Sequence, residues 1–159
     1  MTEDKRLLRD KTELRALTDR LRAQGKRIVT INGCFDLIHS GHVHILFEAA
    51  RQGDVLIVGL NSDVSVRAYK GPDRPILNEG ERAAILLALE PVDYVCLYDE
   101  VECNAFVAAA CPDVHVNDAS YGPNCVESET VRACGARLHL VEKRPGFSTS
   151  GIIEKVQRS

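Results

Sequence analysis

Long apolar runs are absent from this sequence of 159 residues. No stretch approaches the roughly 20 apolar residues that cross a bilayer, and residues 1–6 lack the apolar region of a secretory signal. The net charge of −3 provides no overall attraction to nucleic acid or to an anionic membrane, so phosphate binding requires a local cluster of cations. We therefore expect a cytoplasmic protein that binds neither nucleic acid nor a membrane.

The sequence also lacks a C-x-x-C pair. Its cysteines stand at Cys34, Cys96, Cys103, Cys111, Cys125 and Cys134. These spacings match no zinc ribbon, so we expect reduced thiols that are mostly buried and pack as small hydrophobic groups. No resident metal site is predicted.

Repeats, low-complexity segments and a linker to a second domain are absent as well, and the length suits one domain with one core. Apolar runs typical of buried strands lie at 28–31, 54–60, 93–97, 114–116 and 137–141. Helical patterns alternate with them, which predicts an α/β fold: a Rossmann-like, doubly wound, five-stranded parallel sheet.

Residues 3–25 carry leucines at helical spacing among many charges. The pattern predicts an amphipathic helix, with a break near Asp10. We interpret residues 1–26 as a helical extension ahead of a catalytic domain that spans 27–159. Packing before the first strand is the favoured role of this helix, and a dimer contact is the less favoured one.

The stretch from Ile28 to Ile31 reads as a buried strand, and Asn32-Gly33 ends it where the backbone must turn or approach a ligand. His39-Ser40-Gly41-His42 follows, and Ser40 is the predicted N-cap of the next helix. Strand, glycine turn and helix N-terminus in this order place free N–H groups where an anion can bind. The stretch predicts a phosphate site.

His39-Ser40-Gly41-His42 resembles the HxGH signature of the nucleotidyltransferase superfamily. The wider stretch 32–42 resembles its cytidylyltransferase-like branch, which includes glycerol-3-phosphate cytidylyltransferase and the adenylyltransferase domain of bacterial ADP-heptose synthase. The segment 61–75 resembles the heptose-phosphate adenylyltransferase pattern, in which a lysine in a basic loop meets phosphates. The segment 143–150 resembles R-x-x-G-x-S-T-[TS], in which an arginine and a helix N-terminus bind the triphosphate. The resemblance runs from about residue 25 to residue 156.

This resemblance implies three groups of site residues. The catalytic group is His39, His42, Lys70 and Arg144. The nucleotide-binding group is Asn32, Gly33, Cys34, Phe35, Gly41, Arg82, Ser148 and Thr149. The acceptor-binding group is Asp36, Asn61, Asp63, Asn117, Asp118 and Tyr121. Two residues keep a structural alternative, because Asp36 can order the turn and Arg82 can form an internal ion pair.

At residues 117–121 the chain departs from the heptose enzymes, whose pattern there is Lys-Gly-Gly-Asp-Tyr. Asn117 replaces the lysine and Tyr121 remains, which indicates recognition of hydroxyl groups at that point. His115 and His139 alternate with apolar residues, and we interpret both as histidines at the core edge or the surface.

The resemblance implies nucleotidyl transfer from a nucleoside triphosphate to a sugar or polyol phosphate, with release of pyrophosphate. The favoured reaction joins ATP and heptose 1-phosphate to give ADP-heptose. A cytidylyltransferase acting on glycerol 3-phosphate or a related polyol phosphate is the alternative, and a non-catalytic nucleotide-binding regulatory module is a third hypothesis. Mg²⁺ is expected to travel with the nucleotide, since the sequence has no carboxylate cluster to hold it. A homodimer is expected, and the choice between ATP and CTP stays open.

Overall fold

The computed structural model describes residues 4–159, which form an α/β fold around one parallel sheet of six strands. The strands are β1 (Leu7–Leu8), β2 (Ile28–Gly33), β3 (Val55–Asn61), β4 (Tyr94–Tyr98), β5 (Val114–Asp118) and β6 (Arg137–Val141). Their order across the sheet is β1-β4-β3-β2-β5-β6. The Rossmann-like fold class is confirmed, with one strand more than predicted.

The described part of the chain has seven α-helices, six between successive strands and one after β6. They are α1 (Lys11–Ala23), α2 (Ser40–Ala50), α3 (Asp63–Lys70), α4 (Glu79–Leu87), α5 (Asn104–Ala110), α6 (Ser128–Ala133) and α7 (Thr149–Gln157). A single 3₁₀ turn follows β5 at Ala119–Tyr121. Within residues 4–159 no helix is both long and apolar enough to cross a membrane.

The additional strand comes from the N-terminal segment. Leu7 and Leu8 pair with β4 instead of joining a helix, and the Asp10 side chain accepts the Thr12 and Glu13 N–H groups to begin α1. The helix predicted over residues 3–25 is therefore wrong at Leu7–Leu8, and its first residue lies outside the described part. Two leucines carry no local preference strong enough to resist the open edge of β4, whose backbone groups need partners. The boundary between residues 26 and 27 stays a prediction.

Both faces of the sheet are covered, because successive strand residues point to opposite sides. Val29 and Val58 pack in one apolar cluster with residues of α2 and α4. Their neighbours Ile28 and Ile57 pack in a second cluster with residues of α1, α5 and α6. The continuous apolar strands are thus covered by helices on both faces, as a doubly wound sheet requires.

A crevice opens at the carboxyl ends of β2 and β5. Pairing between β2 and β3 continues to the end of β2 at Gly33, whereas β2 and β5 are in register only at Val29–Val114 and Thr30–His115. Beyond those pairs the two strands separate. The strand order reverses at this point, and ligands of open α/β sheets bind in such a crevice.

Candidate active site

A cleft of about 560 Å³ occupies this crevice. Its volume is in the range of small-molecule sites. Every predicted site residue except Asp63 and Arg82 lines it, including those of the β2–α2 turn and of the C-terminal segment 144–149. Residues far apart in the sequence are thus brought together at one edge of the sheet.

The β2–α2 turn contains an unusual backbone conformation at Phe35. This residue has φ of 44°, a left-handed value that costs a residue with a side chain on the order of 1–3 kcal/mol. Its buried ring lies 5.3 Å from the His42 ring, centroid to centroid. Gly33 makes room for it, since a Cβ at Gly33 would lie 3.0 Å from the phenyl ring. The turn is therefore shaped by Phe35, and Gly33 is needed for space.

His39 and His42 begin α2 as a mutual cap. The His39 Nδ1 accepts the Gly41 N–H at 3.1 Å, and the His42 Nδ1 accepts the His39 N–H at 3.4 Å. The N-cap is thus His39, and the prediction of Ser40 is wrong, because an imidazole placed here reaches the same N–H groups. Backbone N–H groups can only donate, so each neutral ring carries its proton on Nε2. The two rings stack with centroids 3.9 Å apart.

Both imidazoles are held neutral in the free protein. Burial, together with the nearby His39, Lys70 and Lys143, lowers the pKa of His42 to about 4. Burial and Lys143 also lower the pKa of His39. Near neutral pH the pair therefore offers N–H donors without positive charge, and the cationic character of the cleft comes from its lysines and arginine.

Three exposed cations line the cleft: Lys70, Lys143 and Arg144. Lys70 is the last residue of α3, not part of a loop as predicted. Sequence reasoning gave the cationic role to Arg144 and missed Lys143. The signal was available, because Lys143 stands three residues before Gly146, where the R-x-x-G pattern has its arginine.

A second helix N-terminus faces the first. Ser148 caps α7 by accepting the Gly151 N–H at 3.0 Å, and the Thr149 hydroxyl donates to the Leu37 carbonyl at 3.4 Å. Phe147, which the sequence did not indicate, stacks over the His39 ring with centroids 6.5 Å apart. The start of α7 is in this way attached to the β2–α2 turn, and its free N–H groups are available to an anion.

The carboxylate of Asp36 is already occupied by its own chain. It accepts the N–H groups of Ile76 and Leu77 at 2.9 and 3.0 Å and the Arg74 Nε–H at 2.7 Å. These bonds hold the pKa of Asp36 below its usual value in spite of burial, which by itself would raise it. Of the two alternatives for Asp36, the geometry supports the ordering of the turn and of the segment before α4.

Arg82 and Asp63 lie outside the cleft. The fully buried Arg82 guanidinium donates to the carbonyls of Cys34 and Asn61 at 2.7 and 2.8 Å. It also forms an ion pair with Asp63 at 2.7 Å. This geometry supports the ion-pair alternative, and it gives neither residue a direct path to nucleotide or acceptor.

The two asparagines at the strand ends bind neighbouring side chains. The Asn61 Oδ1 accepts the Tyr98 hydroxyl at 2.9 Å, and its Nδ2 donates to Ser65 at 2.9 Å. Asn32 lies 3.4 Å from the same tyrosine hydroxyl. Beside them, burial raises the pKa of the Cys34 thiol, so at neutral pH this cysteine is not an activated nucleophile.

On the opposite wall, Asn117 also binds its own chain. Its Nδ2 donates to Glu127, and its Oδ1 accepts the Asp118 N–H at 2.9 Å. Asp118 accepts the Ser120 N–H at 2.8 Å. Of the three acceptor-binding residues predicted in this loop, Asn117, Asp118 and Tyr121, only Tyr121 is exposed. The missing lysine is thus replaced by a residue that holds the loop after β5.

Comparison with known proteins agrees with this arrangement. Residues 30–155 match the cytidylyltransferase-like family. The bifunctional protein HldE of Trichlorobacter lovleyi is 46% identical over 136 residues, which are 85% of this chain and 28% of that protein. The HldE of Syntrophotalea carbinolica is 43% identical over 150 residues, or 94% of this chain and 31% of that protein. The chain thus spans less than a third of the length of these relatives.

Two solved structures are similar in fold. A lipopolysaccharide core biosynthesis protein from Thermoplasma volcanium has a TM-score of 0.60 and 29% identity, covering 76% of this chain and 98% of that one. A pantoate-beta-alanine ligase from Francisella tularensis has a TM-score of 0.65 at 11% identity, covering 96% and 79%. At that identity the second likeness concerns the fold alone. Sequence match, sheet topology and the HxGH turn agree: the chain belongs to the cytidylyltransferase-like family of nucleotidyltransferases.

Proposed function

We propose that this chain transfers AMP from ATP to heptose 1-phosphate, giving ADP-heptose and pyrophosphate. The observation that carries the transfer chemistry is the stacked pair His39–His42, whose Nε2–H donors stand at the start of α2 in a cleft with three exposed cations. The choice of substrates rests on the resemblance to HldE, the ADP-heptose synthase.

In the proposed reaction an oxygen of the acceptor phosphate attacks the α-phosphorus of the nucleotide. A P–O bond forms there, the bond from that phosphorus to the oxygen bridging the β-phosphate breaks, and its electron pair leaves with pyrophosphate. The acceptor oxygen is already anionic near neutral pH, so no strong general base is needed. Positioning and stabilisation of charge supply the catalysis.

His39 and His42 would act where negative charge grows. Their Nε2–H groups would donate to oxygens of the α- and β-phosphates, because their Nδ1 atoms are already bound to backbone N–H groups. Donors fixed in place before the reaction need no reorganisation during it. Lys70, Lys143 and Arg144 would hold the β- and γ-phosphates as mobile surface cations.

Mg²⁺ would enter as the counter-ion of the triphosphate. It prefers oxygen ligands and keeps several waters, so it needs few protein groups. The nearest carboxylate of the turn, Asp36, is bound to Arg74 and to backbone N–H groups. The phosphates would therefore supply most of the ligands.

A cytoplasmic location and a homodimer belong to the same proposal, and neither nucleic acid nor a membrane is expected as a partner. Light scattering after size-exclusion chromatography tests the assembly. A mass corresponding to a single chain across the working concentration range would contradict the dimer.

The reaction is tested by measuring pyrophosphate release with ATP and CTP against heptose 1-phosphate and glycerol 3-phosphate. We expect steady release with ATP and heptose 1-phosphate. Steady release only with CTP and glycerol 3-phosphate would favour the cytidylyltransferase alternative. Tight nucleotide binding without release from any pair would favour the regulatory module.

A further inference from the structure

Three potential metal ligands meet at the floor of the cleft. Cys103 lies just before α5, His115 lies in β5 and Glu127 lies just before α6. One ligand atom of each falls within 4.8 Å of the other two, and the residues are 5%, 0% and 5% exposed. Among the residues that the structure describes, this is the one group of three such side chains.

The orientation of His115 points into this group. Its Nδ1 is bound to the Thr30 hydroxyl at 2.8 Å, which fixes the ring. Its Nε2 is fully buried and has no hydrogen-bond partner, and the Glu127 Oε1 lies 3.5 Å away. A buried polar atom without a partner is costly, so the arrangement requires an explanation.

We propose that Cys103, His115 and Glu127 bind a Zn²⁺ ion. A sulfur, an imidazole nitrogen and a carboxylate oxygen suit this borderline-soft cation and do not suit Mg²⁺. Tetrahedral zinc with bonds of about 2.0–2.3 Å places its ligand atoms about 3.3–3.8 Å apart. The Nε2–Oε1 distance already meets this requirement, and the sulfur needs a shift of at most about 1 Å.

The surroundings supply the outer groups that such a site needs. Zinc-bound histidines donate through their second nitrogen, and ligating carboxylates accept further hydrogen bonds. Thr30 is in place to accept from His115 Nδ1, and Asn117 donates to Glu127. Asn117 is the residue at which the chain departs from the heptose pattern. In this proposal its role is to orient the zinc ligand Glu127.

The site has three protein ligands, and zinc takes four. Cys103 and Glu127 both line the cleft, so the fourth position faces it and accepts water or an oxygen of a bound molecule. His115 lies one layer below, at the last registered pair between β2 and β5. The ion would tie β5, α5 and α6 together directly under the cleft.

The test is metal binding by the whole chain, first stripped of metal, in buffer without phosphate. Competition with a chromophoric zinc chelator measures stoichiometry and affinity, and Co²⁺ substitution reports the ligands. We expect one equivalent of zinc and, with cobalt, a thiolate-to-cobalt charge-transfer band with tetrahedral visible bands. Cys103→Ala should abolish the charge-transfer band and weaken zinc binding by more than the about 10–100-fold expected for loss of an outer partner.

Cys96→Ala is the matched control, since Cys96 is buried in the same apolar cluster as Cys103 but lies outside the group of three. It should keep the band and the affinity. Glu127→Gln, of nearly equal size, should weaken zinc binding while circular dichroism shows an intact fold, which covers the case in which Cys103→Ala fails to fold.

Two results would overturn the proposal. The parent could bind no zinc at micromolar concentration. Alternatively, the charge-transfer band could survive in folded Cys103→Ala, which would place the ion on another cysteine. Neither result depends on nucleotidyl transfer.

Discussion

The charged side chains on two sides of the cleft differ in whether they are bound within the protein or exposed. On the β3–α4 side, Asp36 lines the cleft, and Asp63, Arg74 and Arg82 lie behind it. These four residues, here the framework wall, are bound to one another or to backbone groups. The wall after β6, here the open wall, contains Lys143 and Arg144. Neither forms an ion pair within the described part of the chain, and both are exposed.

Both walls carry arginines that sequence resemblance assigns to phosphate binding. The difference between the two arginines is burial. The Arg82 guanidinium uses four of its five N–H donors on three carbonyls and a carboxylate, and it is fully buried, so it is not accessible to a ligand. Residues of the framework wall hold the β2–α2 turn against β3. Residues of the open wall supply charge that a nucleotide can neutralise. We therefore expect the same residue type to serve stability on one side and nucleotide binding on the other.

The largest effect is expected at the framework wall. Arg82→Ala removes one partner of a buried ion pair and leaves Asp63 and several carbonyls without a donor. The free energy of unfolding, measured by urea titration, should fall by about 3–5 kcal/mol. Arg144→Ala is the control and should stay within about 0.5 kcal/mol of the parent. Equal stabilities of the two variants would remove the distinction between the walls.

Between the walls stands the histidine pair, where the expected effect is on rate. His42→Ala removes a donor to the developing charge, so turnover should fall about 10²–10³-fold in a variant that remains folded. His139→Ala, on β6 and outside the cleft, should leave turnover unchanged. A folded His42→Ala enzyme with the parental rate would show that the pair does not act in catalysis.

The depressed pKa of His42 predicts a pH dependence of stability. The unfolded chain binds a proton at this residue near pH 6.5 and the folded chain only near pH 4, so between these values the unfolded state holds more protons. Stability is therefore present above pH 6.5 and is lost as the pH falls, by roughly 2 kcal/mol at pH 5 from this residue.

Urea titrations at pH 7.5 and pH 5 check this. The parent should lose more stability between the two pH values than His42→Ala does. An identical loss in both proteins would mean that His42 titrates normally in the folded state.

The smallest effect is expected at the open wall. Lys143→Ala and Arg144→Ala should each raise the KM for the nucleotide about tenfold, an effect that salt reduces, with kcat changed much less. Lys155→Ala, on α7 and outside the cleft, is the charge-matched control. Unchanged KM values would show that the open wall does not meet the phosphates.

Much of the fold was predictable because it follows from local periodicity. The apolar runs, the glycine turn and the helix after it need only neighbouring residues, and the structure confirms them. Leu7–Leu8 could not be assigned this way, since its conformation depends on the free edge of β4, about 90 residues later. The same holds for the Arg82–Asp63 pair and for His115, whose partners become neighbours only when the sheet forms.

The site residues show the same division between features set by neighbouring residues and features set by distant contacts. The positions of His39 and His42 in the cleft were predictable, because the spacing of the HxGH residues places both rings in one turn at the start of α2. The mutual cap that leaves each proton on Nε2 was not, since it requires the actual positions of the N–H groups. Lys143 was missed because the cationic role was given to the neighbouring Arg144, although Lys143 occupies the arginine position of the pattern. Phe147 was missed because the pattern leaves its position unspecified, and its contact with His39 depends on the path of the chain.

The central claim is that His39 and His42 stabilise transfer of the α-phosphoryl group of the nucleotide. The most direct measurement follows ATP labelled at the α- or at the γ-phosphate in the presence of heptose 1-phosphate. We predict that the α-label enters the sugar nucleotide, that the γ-label leaves as pyrophosphate, and that His42→Ala slows α-label incorporation about 10²–10³-fold. Appearance of γ-label on the sugar, or undiminished α-label incorporation by the folded variant, would contradict it.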